Sequence, residues 1–139
     1  LRPALEARAR AHGVTDRVRF TGWVGDAEIR AHLAVHDVYV SLSRSDSTSQ
    51  SLLEAMAAGL PVVLSEVGGT GDVILDGETG FLIRPGDGPA LSTRLDELVS
   101  EPAARRQMGR AARHDAETRY DARKNILRTV ALMRTDLGR

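Results

Sequence analysis

Short apolar runs bounded by glycine or proline alternate with stretches of helical periodicity in this chain. That alternation predicts an α/β fold built from βα units around an open parallel sheet. Two further observations agree with it. A serine-rich stretch joins one of the apolar runs to a helix, as a strand-to-helix loop does, and from Pro89 onward the pattern is helical throughout. The expected architecture is a sheet of about four strands followed by a helical C-terminal tail.

Taken in order, residues 4–12 read as the end of a helix closed by Gly13, and Val18-Arg19-Phe20-Thr21 as a short strand ending at Gly22. Residues 26–36 repeat apolar side chains at helical spacing, with Asp26 and Glu28 in the first turn where the helix dipole favours them. Val38–Leu42 is the next strand, and helix 50–58 follows the serine-rich loop and stops at Gly59. Pro61 opens strand 62–65, Gly68-Gly69 turn the chain, residues 71–75 form one helical turn, and Asp76-Gly77 turn it again. Residues 81–83 are the last strand, and the terminal helices are interrupted near Pro102 and near Tyr120-Asp121.

Composition removes several classes of function. The chain has 139 residues and no cysteine, which excludes a disulfide framework, a thiolate zinc site and a thiol nucleophile. No apolar run approaches the roughly 18 residues of a membrane-spanning helix. The formal net charge is zero, with 19 basic and 19 acidic side chains, which argues against a general nucleic-acid binder. The balance is uneven: residues 37–100 hold three Arg against ten acids, whereas residues 101–139 hold nine Arg and Lys124 against five. Lys124 is the only lysine, so chemistry that needs a lysine finds it there or outside this chain. Leu1-Arg2-Pro3 has no initiator Met or apolar leader, and the chain reads as a piece of something longer.

In an open parallel sheet, ligands sit outside the carboxyl ends of the strands. Loops 21–25, 43–50 and 66–71 are expected at that edge. The middle one leads into a helix whose first N–H groups and dipole suit a phosphate or diphosphate. Glu54 stands one turn inside that helix among Ala55, Ala57 and Ala58. A carboxylate there can accept two hydrogen bonds from a vicinal diol. Asp46 lies on the loop itself, within reach of a second polyol. The plainer reading is a solvated helix former beside an exposed polar loop with helix-capping serines.

The longer string is more specific. Ser43-(x)2-Asp46-(x)7-Glu54-Ala55-Met56-Ala57-(x)-Gly59-(x)-Pro61-Val62-Val63, then Gly68-Gly69-(x)2-Asp72 and Asp76-Gly77-(x)2-Gly80, resembles the C-terminal domain of glycosyltransferase family 4. These are retaining enzymes of the GT-B architecture, with Rossmann-like domains and nucleotide-sugar donors. The resemblance runs from Val18 to about Gly109 and implies roles. Glu54 matches the acid that holds the donor ribose, and Asp46 the acid that contacts the sugar near its reacting carbon. Gln50, Ser51 and Leu52 match the segment whose backbone amides meet the diphosphate. Gly22 and Trp23 match the loop beside the nucleobase. The sequence departs from the family pattern in two places. Asp46 stands where Glu is usual, and Ser47-Thr48-Ser49 replace a glycine and an apolar residue.

The resemblance also implies what lies outside this sequence. Residues 1–139 correspond to part of a donor-binding domain, with a βα core to residue 100 and C-terminal helices after it. Two preceding strands, the Arg and Lys that neutralise the leaving diphosphate, and an acceptor-binding N-terminal domain are expected elsewhere. Without its two partner strands, strand 18–21 is expected either to leave a gap in the sheet or to pair with strand 38–42. The leaving phosphate is implied as base for the acceptor, and neither metal nor cofactor is implied. A cytoplasmic setting follows, with any membrane contact made through the N-terminal half. Two alternatives stand beside this reading: another GT-B enzyme, such as a nucleotide-sugar epimerase or a phosphorylase, and a non-catalytic nucleotide-binding module. Trp23 reads equally as a base platform or as a core or interface aromatic, and Gly68-Gly69 equally as a ligand-facing or purely structural turn. His32 and His36 read as helix surface rather than as a metal pair, and Asp76-Gly77 as structural.

Overall fold

A computed structural model describes residues 1–45 and 49–136, with side chains as far as Met133. It divides into two compact units, Leu1–His32 and a larger one from Leu33 onward.

The first unit holds helix α1 (Arg2–Ala11), a 3-10 turn (Thr15–Arg17) that the sequence pattern did not suggest, and most of helix α2 (Asp26–Val35). Pro3 sits in the first turn of α1, where its missing N–H costs nothing. Gly13, at φ +64°, turns the chain out of the helix. Arg2 pairs with Glu6 at 2.8 Å and lies 5.9 Å from the centre of the Phe20 ring. Residues 18–21 form no strand, contrary to expectation. Val18 is extended (φ −116°, ψ 120°), yet the segment joins no ladder among the described residues. An apolar, β-prone run becomes a strand only where another strand meets its N–H and C=O groups. Of the two alternatives expected for this segment, pairing with the next strand is therefore not what the structure shows.

The second unit carries a parallel sheet in the order β1 (Tyr39–Ser41), β2 (Val62–Ser65), β3 (Gly80–Ile83). The register sets Tyr39 beside Val62 and Val62 beside Gly80. All four residues of β2 are buried, as a strand covered on both faces requires. Its side chains alternate between two cores. Val62 and Leu64 join Leu52, Ala55 and Met56 of helix α3 (Gln50–Ala57) and Ala112 and Ala116 of a C-terminal helix. Val63 joins Phe81, Ile83, Leu98 and Met108 on the other face. Each fully buried Val or Leu contributes on the order of 1.5–3 kcal/mol, so the two faces of β2 hold most of what orients the sheet.

Helices α4 (Thr70–Val73), α5 (Gly88–Ser100), α6 (Pro102–Arg119) and α7 (Ala122–Asp136) complete the chain. Asp87 caps α5 by accepting from Ala90 N–H at 2.9 Å. The breaks near Pro102 and Tyr120-Asp121 fall where the sequence places them. Gly109 lets α6 lie against the turn after α3, because a Cβ there would run into the carbonyl oxygen of Gly59. Gly80 plays the same part between strands, since a Cβ would strike Val62. Asp76-Gly77 is a structural turn: Gly77 sits at φ +78°, and Asp76 Oδ1 accepts from Leu82 N–H at 2.9 Å.

Candidate functional site at the carboxyl edge of the sheet

The last residues of β1 and β2, Ser41 and Ser65, open onto a small polar pocket. Ser43, Ser49, Leu52, Leu64, Val67 and Thr70 complete its lining. Ser43 and Ser49, and Val67 and Thr70, thus bring two of the three expected loops to the carboxyl edge. Asp46, the expected contact to the sugar, lies outside the described residues.

Helix α3 starts at this pocket, and its cap explains why. Ser49 is extended (φ −83°, ψ 144°) and its Oγ accepts from Leu52 N–H at 3.3 Å, while Leu53 N–H donates to the Ser49 carbonyl at 3.3 Å. Helix geometry gives the N–H groups of Gln50 and Ser51 no intrahelical acceptor, so they and the dipole face the edge. The expected trio of amides is thus split. Gln50 and Ser51 offer theirs, whereas Leu52 N–H already serves the cap. The Leu52 side chain is buried, at 1% exposure, and anchors the helix end to the core.

Glu54 lies one turn along α3, partly exposed, with Oε1 accepting from Gln50 Nε2 at 2.9 Å. That bond fixes the carboxylate and leaves Oε2 as a second acceptor. Ala55 on its flank is wholly buried, so the helix lies close against its neighbours. Two further contacts at this end had no sequence signal. Tyr39 on β1 reaches over to Ser51, its hydroxyl 2.9 Å from Ser51 Oγ, and Ser51 Oγ lies 3.3 Å from Ser49 Oγ. Nothing in a three-residue strand pattern pairs a tyrosine with a serine twelve positions later.

The neighbouring loop is built by Thr70, which is 4% exposed. Its Oγ1 donates toward the Ser65 and Val67 carbonyls (3.2 and 2.8 Å) and accepts from Val67 N–H at 3.0 Å. Gly68, at φ +52°, makes the bend. From α6, Arg119 donates to the Asp72 and Val73 carbonyls at 2.6 and 3.5 Å, so the C-terminal helix holds the far end of this loop.

Gly22 and Trp23 belong to the first unit. Gly22 is at φ +74°, and Trp23 is 98% exposed, which rules out the core reading of that aromatic. α2 ends at Val35, so His36 lies beyond the helix that carries His32. No group of three or more His, Cys, Asp or Glu among the described residues is arranged to hold a metal.

Comparison with known proteins agrees with this geometry. The sequence model for glycosyl transferases group 1 matches residues 2–115. The sulfoquinovosyl transferase SQD2 of Arabidopsis thaliana is 40% identical over 107 residues, 75% of this chain and 21% of that protein. Sucrose-phosphate synthase from Thermosynechococcus elongatus superposes with a TM-score of 0.88 at 27% identity, over 99% of this chain and 34% of that one. Anabaena Alr3699/HepE, solved in complex with UDP-glucose, gives a TM-score of 0.83 at 25% identity, over 93% of this chain and 36% of that one. The chain thus spans about a fifth to a third of these three proteins. With the parallel sheet, the capped helix at its carboxyl edge and a match over most of its length, this chain belongs to the group 1 glycosyl transferases.

Proposed function

We propose that this chain is the donor-binding part of a retaining family 4 glycosyltransferase. It takes a hexose-type sugar from a nucleoside-diphosphate sugar, and the acceptor sits on a separate N-terminal domain. The observation that carries this is the start of α3: a Ser49-capped helix end at the carboxyl edge, with Glu54 one turn inside and held by Gln50.

The residues divide the donor between them. The N–H groups of Gln50 and Ser51, with the helix dipole, take the diphosphate. Glu54 accepts the ribose hydroxyls through its carboxylate. The family resemblance assigns Gly22 and Trp23 to the nucleobase and Asp46 to the sugar near the reacting carbon. As the bond from the anomeric carbon to the diphosphate breaks, charge grows on the leaving oxygen, and donors aimed at that charge lower the barrier. The leaving phosphate takes the acceptor proton as the new glycosidic bond forms. Cations from an upstream Arg and Lys complete the neutralisation, so neither metal nor cofactor is required, and the 139 residues alone transfer no sugar. The reading places the enzyme in the cytoplasm, with any membrane contact made through the N-terminal half. No described helix is long and apolar enough to cross a membrane.

The test is Glu54→Gln in the full-length protein. Loss of a charge-assisted pair of hydrogen bonds, on the order of 1.5–3 kcal/mol, raises the donor KM at least about tenfold and lowers turnover. Wild-type kinetics for that variant refute the ribose assignment.

A further inference from the structure

Three hydroxyls run in a line from the sheet to the end of α3. Tyr39 Oη is 2.9 Å from Ser51 Oγ, and Ser51 Oγ is 3.3 Å from Ser49 Oγ. At the last of them, Leu52 N–H already donates to Ser49 Oγ at 3.3 Å. Three hydroxyls own three hydrogens and the line has two links, so one hydrogen remains for a group outside it. With Tyr39 donating to Ser51 and Ser51 to Ser49, that hydrogen belongs to Ser49, which lines the pocket together with Ser41 and Ser43. With the line reversed, it belongs to Tyr39, and with Tyr39 and Ser49 both donating to Ser51 it belongs to Ser51.

An anion within reach of Ser49 selects the first of these three. In the first arrangement every O–H dipole points its positive end toward the anion, and each donated bond strengthens the next. In the second, every dipole opposes it. We propose that Tyr39 is a positioning residue for the donor diphosphate: acting through Ser51, it orients Ser49 so that the Ser49 hydroxyl donates to a phosphate oxygen. This rests on the donor-site reading above and adds a donor to it. The cap takes Leu52 N–H out of phosphate binding, and the hydroxyl that accepts that N–H takes its place.

The experiment measures binding rather than turnover. UDP, GDP and ADP are titrated by calorimetry into the full-length protein. The tightest binder is then compared with its own nucleoside on wild type, Tyr39→Phe, Ser51→Ala, Ser51→Thr and Glu54→Gln. Tyr39→Phe removes one oxygen and keeps the ring that packs on the core. It is expected to weaken the diphosphate about threefold to tenfold and to leave nucleoside affinity unchanged. Ser51→Ala does the same, Ser51→Thr restores binding, and the Tyr39→Phe, Ser51→Ala double variant loses no more than the worse single one. Equal loss for nucleotide and nucleoside, no loss at all, or additive losses in the double variant overturns the proposal. A loss confined to thermal stability overturns it as well. Glu54→Gln separates the two readings, because it weakens nucleoside and nucleotide alike if the ribose sits there. A normal Glu54→Gln, or no binding of any of the three diphosphates, overturns the donor site and with it the role of Tyr39.

Discussion

Glu54 and Ser49 lie five residues apart on one helix, and the sequence treats them differently. Glu54 was legible because its neighbours Ala55, Met56 and Ala57 repeat a recognisable string, and the structure places its carboxylate beside Gln50. Ser49 was legible only as one of several capping serines, since which hydroxyl caps depends on where the helix begins. Its removal is a stability prediction. Ser49→Ala leaves Leu52 N–H without its acceptor and costs about 1 kcal/mol, seen as a lower denaturation midpoint at unchanged slope. The Tyr39 link was not legible at all, because a contact between strand and helix follows from tertiary packing and not from spacing.

At the scale of elements, helices and buried strands followed from periodicity because local pattern and burial agree there. β2 shows this well: four consecutive apolar or small residues, all buried. Residues 18–21 show the opposite, since strand-like composition that meets no partner among the described residues forms no strand. Packing at Gly109 makes a second prediction. Gly109→Ala pushes α6 off the turn at Gly59 and costs about 1–3 kcal/mol, despite the better helix propensity of alanine, and a thermal melt reads it directly. A third concerns α7, whose start is capped by Asp121 accepting from Lys124 N–H at 3.0 Å. That bond, followed by the Lys124 charge, holds the Asp121 carboxyl below its ordinary range. A lowered folded-state pKa means that the cap is fully present above the unfolded value and is lost as pH falls through the folded one. Helicity reported from α7 is therefore expected to drop on acidification below about pH 4, and Asp121→Asn to remove that dependence.

For the molecule as a whole, the uneven charge acquires a structural meaning. Arginines of α6 hold the core by reaching backbone carbonyls: Arg105 that of Leu98 at 2.8 Å, and Arg119 those after the loop beside the pocket. The basic C-terminal segment is thus partly a set of internal clamps. The alternation of strands and helices foretold the parallel sheet covered on both faces. Gly22 and Trp23 belong to a separate compact unit that periodicity did not reveal.

The most direct measurement is a crystal structure of the full-length protein with the nucleoside diphosphate that it binds best. The account predicts the diphosphate at hydrogen-bonding distance from the amides of Gln50 and Ser51, with the ribose hydroxyls on Glu54. A nucleotide seated away from the start of α3, or a ribose that does not touch Glu54, would contradict it.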